Sequence, residues 1–104
     1  MKLMTKALEA RFAKLGRQDK PDAVVVAKFF TPTSNWTWYA TEYDPEERCY
    51  FGLVCGFETE LGYFSRDELE SVTGPLGLGI ERDLHFSEIT MDKLKAKLDS
   101  GAHV

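Results

Sequence analysis

The chain has 104 residues, 43% of them hydrophobic and 29% charged, with a formal net charge of −4, which fits one globular domain with a single core and no need of disulfide staples. Its longest uncharged apolar run, Ala23 to Ala27, is far too short to cross a bilayer, and the basic N-terminus carries no apolar segment followed by a cleavage site. A membrane span and a secretion signal are therefore not expected, and a cytoplasmic protein is.

In chain order, Met4, Leu8, Phe12 and Leu15 form one apolar stripe at helical spacing, so a helix is predicted over about residues 2–15, with Gly16 as its stop. After the polar stretch Arg17 to Asp22, the run Ala23 to Phe30 is dense in β-branched and aromatic residues and reads as a strand buried on both faces for most of its length. Pro32-Thr33-Ser34-Asn35 turns the chain. Trp36 to Tyr43 then alternates Trp36, Trp38, Ala40 and Glu42 on one face with Thr37, Tyr39, Thr41 and Tyr43 on the other. Asp44-Pro45-Glu46-Glu47 is a second turn, Arg48 to Phe57 a third strand and Gly62 to Ser65 a short fourth.

Ser65 and Glu68 have the spacing of a capping box, which starts a short helix through Leu69 and Val72 that Gly74-Pro75 stops. The loop Gly74 to Gly79 is expected to be anchored to the core by Leu76 and Leu78. It lacks the Lys-Ser/Thr of a phosphate-binding loop, and Pro75 removes an amide donor. A strand over Ile80 to Phe86 follows. Thr90 is the expected N-cap of a last helix, about residues 90–100, that packs Met91, Leu94 and Leu98 inward. His103 falls in the terminal tail, where disorder is expected.

Charge is unevenly placed. Residues 1–28 hold seven Lys/Arg against three acids, whereas residues 42–70 hold nine acids against Arg48 and Arg66, a balance of −7. The middle of the chain repels phosphates, so a protein partner is favoured over nucleic acid. Cys49 and Cys55 sit six apart in one predicted strand, roughly 20 Å along the same face. In a continuous strand that excludes a bridge between them, and both read as buried free thiols; a catalytic or metal-binding pair would need a sharp bulge at Gly52 or Gly56.

The segments Lys28-Phe29-Phe30-Thr31-Pro32, Asn35-Trp36-Thr37-Trp38-Tyr39-Ala40-Thr41-Glu42, Phe51-Gly52-Leu53-Val54, Glu60-Leu61-Gly62-Tyr63-Phe64-Ser65, Glu68-Leu69-Glu70-Ser71-Val72, Gly74-Pro75-Leu76-Gly77-Leu78 and Ile80-Glu81-Arg82-Asp83-Leu84 follow one another in an order that resembles the family grouped as domain of unknown function 2958. The likeness covers roughly residues 25–88. It implies small bacterial proteins associated with plasmids and other mobile elements, with accessory replication, transfer or counter-defence roles, and it carries no activity or site residue over to this chain.

Two sets of residues invite a functional reading. Both tryptophans and two of the four tyrosines lie between Trp36 and Tyr43. Such rings either fill the core beside Phe29, Phe51 and Phe64 or form an interface hot spot with Trp36, Trp38, Tyr39, Glu42, Tyr43 and Asp44 as binding residues. Glu46 and Glu47 extend the rim, and the Gly74–Asp83 loop extends the surface. The second set is Glu81, Asp83 and His85, which alternate onto one face of a strand. They are candidates for acid–base or metal-dependent hydrolysis, against the plainer alternative of a solvated strand edge. Alternate positions on a flat strand are about 7 Å apart, too wide for one metal without other ligands. A third possibility is nucleic-acid binding through Lys2, Lys6, Arg11, Lys14 and Arg17 on the first helix.

The expected architecture is a single α+β domain over 1–104. An antiparallel sheet of about four to five strands within residues 23–86 has the N- and C-terminal helices packed on one face. The expected function is non-enzymatic binding of a protein partner, with no cofactor and no metal site.

Overall fold

The structure, a computed structural model, describes residues 2–102 and Val104; Met1 and His103, the latter expected in a disordered tail, lie outside the described residues. Helix α1 spans Lys6–Leu15. Thr5 caps it by accepting the Leu8 N–H at 3.1 Å, and Gly16 ends it with φ of 59°. Leu3 and Met4 fall outside the helix, yet both are buried ahead of the cap.

The strands are β1 (Val24–Val25), β2 (Ala27–Phe30), β3 (Thr37–Asp44), β4 (Cys49–Cys55) and β5 (Thr59–Ser65). Helix α2 (Arg66–Ser71) follows, then β6 (Glu81–Arg82), β7 (Ile89–Thr90) and helix α3 (Met91–Asp99). Strands β5-β4-β3-β2-β6 form an antiparallel five-stranded sheet, and β1 pairs with β7 apart from it. The α+β class and the antiparallel meander are those the sequence predicts. The predicted strand 23–30 is divided at Val26, so that its first half serves β7 and its second half the main sheet.

The helices do not share a face. Phe12 of α1 and Leu69 of α2 join Ala27, Phe29, Ala40, Tyr50 and Phe64 in one cluster. Met91 and Leu94 of α3 join Val25, Tyr39 and Leu53 in another. The cause lies in strand alternation: Ala27 pairs with Ala40 and Phe29 with Trp38 on one side, while Tyr39 pairs with Leu53 on the reverse. Both faces of the central strands are apolar, and each needs its own cover.

A bulge at Thr41 shifts the register between Ala40 and Glu42. It turns Tyr43 onto the α1 side, where its ring lies 4.9 Å from that of Tyr50, and it leaves Glu42 on the α3 side beside Phe51. The simple alternation predicted from Trp36 to Tyr43 therefore fails beyond Ala40. Gln18, buried below the bulge, holds it: its side-chain amide donates to the Thr41 and Val24 carbonyls at 2.8 and 3.0 Å and accepts the Val24 N–H at 2.7 Å.

Ser65 accepts the Glu68 N–H at 3.2 Å and starts α2 as expected. Thr90 stands at the N-cap of α3, but its side chain makes no cap hydrogen bond; the Met91 N–H instead reaches the Ala23 carbonyl at 2.7 Å. Leu76 and Leu78 do not anchor their loop. Leu76 sits in a tight turn with φ of 62° and is 94% exposed, and Leu78 is exposed as well. The predicted strand Ile80 to Phe86 is only the two residues of β6, because the chain turns at Leu84-His85.

Tyr50 is fully buried among Phe12, Phe29, Tyr43 and Phe64. Its hydroxyl finds no hydrogen-bond partner among the described residues, and burial pushes its phenol far above the usual range. An unsatisfied buried hydroxyl costs about 1–3 kcal/mol. Tyr50→Phe is accordingly expected to raise stability by about 1 kcal/mol, read as a higher melting temperature. A lower one would show that the hydroxyl is bonded.

Candidate functional site

Helix α3 covers only part of its face of the sheet. Its Leu98 packs against the cluster that holds Leu53 and borders a shallow depression together with the exposed Leu61. One step further along the strands, Phe51 and Tyr63 stand opposite each other on β4 and β5 with ring centroids 4.9 Å apart and planes at 62°. Nothing among the described residues closes over Tyr63, which is 73% exposed. These rings form the floor of a groove of about 650 Å³ whose lining also includes Arg17, Glu42, Asp44, Glu47 and Cys49.

The rim is acidic, with Glu42, Asp44 and Glu47 against Arg17. Two of the carboxylates are held in place by backbone amides. Glu42 Oε2 accepts the Gln18 N–H at 2.9 Å, and Asp44 Oδ1 accepts those of Glu46 and Glu47 at 2.9 and 3.4 Å. The cations nearest in sequence are engaged elsewhere. Arg48 pairs with Asp67 at 2.9 Å; Arg66 pairs with Glu70 at 3.4 Å and donates to the Tyr43 hydroxyl at 3.1 Å. Arg17 offsets one of the three carboxylates, and the rim stays net negative.

Cys49 borders the groove half-buried rather than fully buried, and burial pushes its thiol up from its ordinary value, as it does that of Cys55. Such a thiol is a poor nucleophile at neutral pH. Strand β4 runs unbroken between the two cysteines, so they stay apart on one strand, both free.

The predicted binding residues divide into three groups. Glu42, Tyr43 and Asp44 line the groove, but the Tyr43 ring is turned to the α1 side against Phe12 and Tyr50 and offers the groove no anchor. Trp36 and Trp38 lie at the other end of β3, half-buried and stacked on each other at 6.0 Å, and Phe57 stands edge-on to Trp36 at 5.6 Å. Tyr39 is buried at 4% exposure against Phe86 and the α3 cluster, and burial pushes its phenol up to about 12. It is a core residue and no surface anchor. No residue of the Gly74–Asp83 loop lines the groove.

Glu81, Asp83 and His85 do border one shallow depression of about 320 Å³ beside Lys28, though not as a flat strand face, since β6 ends at Arg82. Asp83 is committed to structure there. Its Oδ2 is 3.5 Å from Lys28 Nζ and its Oδ1 accepts the His85 N–H at 2.9 Å. Among the described residues no three His, Cys, Asp or Glu side chains are grouped to hold a metal ion. On α1, Arg11 is clamped by both oxygens of Glu88 at 2.8 and 2.9 Å.

Sequence reasoning missed Phe51 and Tyr63 as a surface pair. Reading β5 from Gly62 hid the alternation in Thr59 to Ser65, which places Leu61 and Tyr63 together on the face opposite Phe64.

A family model described as "Protein of unknown function (DUF2958)" matches residues 2–97. No curated protein and no solved structure matches the chain. Among the described residues no helix is long and apolar enough to cross a membrane.

Proposed function

The chain belongs to the DUF2958 family, and we propose that it is a non-enzymatic accessory binding protein that docks a basic segment of another protein in the groove over Phe51 and Tyr63. The observation that carries this reading is an exposed aromatic pair set inside an acidic rim. Rings of this kind supply contact area at low entropic cost, and the carboxylates select a partner segment that pairs Lys or Arg with an apolar side chain. The same rim disfavours a nucleic-acid backbone. Plasmid or mobile-element biology is the setting we propose, on the resemblance alone.

Two local features speak against catalysis: Asp83 has both oxygens engaged, and burial pushes the groove thiol up from its ordinary value. The test is quantitative capture from the source cells, followed by titration of the captured basic protein. Tyr63→Ala is expected to cost about 2 kcal/mol, roughly 30-fold in affinity. Glu47→Lys should slow association and flatten its salt dependence, while Leu84→Ala, at the far depression, should change neither. Equal binding by all three variants would overturn the proposal.

A further inference from the structure

Strand β5 is an outer strand of the five-stranded sheet and runs seven residues, Thr59–Ser65. Long free edges are normally blunted by lysine, proline or a bulge. This one has none of these, its only charge is Glu60, and its Leu61 and Tyr63 side chains are exposed.

The hydrogen-bond phase of the edge follows from its two ends. Arg66 N–H donates to Arg48 O at 2.9 Å, and Gly56 N–H donates to Glu58 O at 3.0 Å. With Cys49 opposite Ser65 and Cys55 opposite Thr59, the bonded positions on β5 are the even-numbered ones. The N–H and C=O groups of Leu61 and Tyr63 therefore point outward.

We propose that β5 pairs antiparallel with β5 of a second copy of this chain, about a two-fold axis through Gly62, to make one continuous sheet. In this register Leu61 lies opposite Tyr63 of the second copy, and the two exchange both backbone hydrogen bonds. Two exposed apolar side chains are thereby covered twice over. Gly62 meets Gly62 at the non-bonded position of closest approach, where no side chain intervenes. Glu58 falls opposite Arg66 and Glu60 opposite Phe64, so no like charges face each other. A register centred on Tyr63 would set Leu61 against Ser65 and leave it uncovered. Edge pairing covers less than the ~800 Å² per partner of a tight complex, so the dimer is expected to be of micromolar affinity. The pairing shares Tyr63 with the groove floor but uses none of the rim carboxylates Glu42, Asp44 and Glu47.

A β-carbon added at Gly62 meets nothing within 4 Å, so Gly62→Cys should leave the monomer intact and put two thiols across the axis. Sedimentation of the unaltered chain at about 100 μM, well above a micromolar dissociation constant, should show a dimer. Under a mild oxidant Gly62→Cys should cross-link in good yield. Glu60→Cys should cross-link no more than the unaltered chain, because the two thiols would lie about 13 Å apart. A monomer at that concentration, with Gly62→Cys linking no faster than Glu60→Cys, would overturn the proposal; a β5 edge reserved for a strand of another protein would give that same result. Rim variants such as Glu47→Lys lie off the β5 edge and leave this readout untouched, so the two proposals fail separately.

Discussion

Adding one methyl group at Gly52 is expected to destabilise the protein by about 3 kcal/mol or more, at the upper end of overpacking costs. Gly52 lies mid-strand in β4, opposite Ala40 at the point where the bulge begins. A β-carbon there would sit 1.8 Å from the Tyr39 carbonyl oxygen, 2.8 Å from its carbon and 3.0 Å from the Ala40 Cα. All three are backbone atoms of β3, and none can swing aside as a side-chain tip would. The two central strands would have to separate, and a domain of this size has only about 5–15 kcal/mol in hand. Gly52→Ala should lower the melting temperature by roughly 12 °C or more. Gly62→Ala, in open space on β5, should move it by no more than about 3 °C, as surface substitutions do. If the two variants melted together, the close approach at the bulge would be wrong.

Leu94→Ala is expected to cost about 2–5 kcal/mol. Leu94 is completely buried among Val25, Tyr39, Leu53 and Met91. Helix α3 has nine residues, too few to persist alone in water, so its docking depends on this contact. The half-buried Leu98 should cost less when truncated in the same way. Urea unfolding would measure both, and a loss below about 1 kcal/mol for Leu94→Ala would contradict the assigned core. Since α3 stops short of Phe51 and Tyr63, the folded Leu94→Ala protein should keep its groove binding.

Much of this architecture is legible in the sequence because local chemistry and packing agree. The stripe Leu8, Phe12, Leu15 gives α1, Ser65 with Glu68 gives the start of α2, and the turns at Pro32 and Pro45 bound β3. What was hidden depends on contacts across the chain. The bulge at Thr41 is fixed by Gln18, some twenty residues away, so no local pattern announces that Tyr43 changes face. The division of helices between the two faces was implicit in Tyr39 and Leu53, which are apolar on the side opposite Trp38. The continuous apolar run Ala23 to Ala27 does not show where one sheet ends and the other begins. Half of the proposed site was legible as the acidic turn after β3. Its aromatic floor was not, because Phe51 reads as core until β5 is known to bring Tyr63 beside it.

In the proposed function the groove over Phe51 and Tyr63 receives a basic protein segment. Site-specific photo-cross-linking in the source cells would trap that segment, with a photoreactive residue placed at Glu47 on the rim or at Leu84 beside the Lys28 depression. A discrete adduct with one basic protein from position 47, lost when Tyr63→Ala is added and absent from position 84, is the expected result. An adduct from position 84 alone, or one from position 47 that survives Tyr63→Ala undiminished, would contradict it.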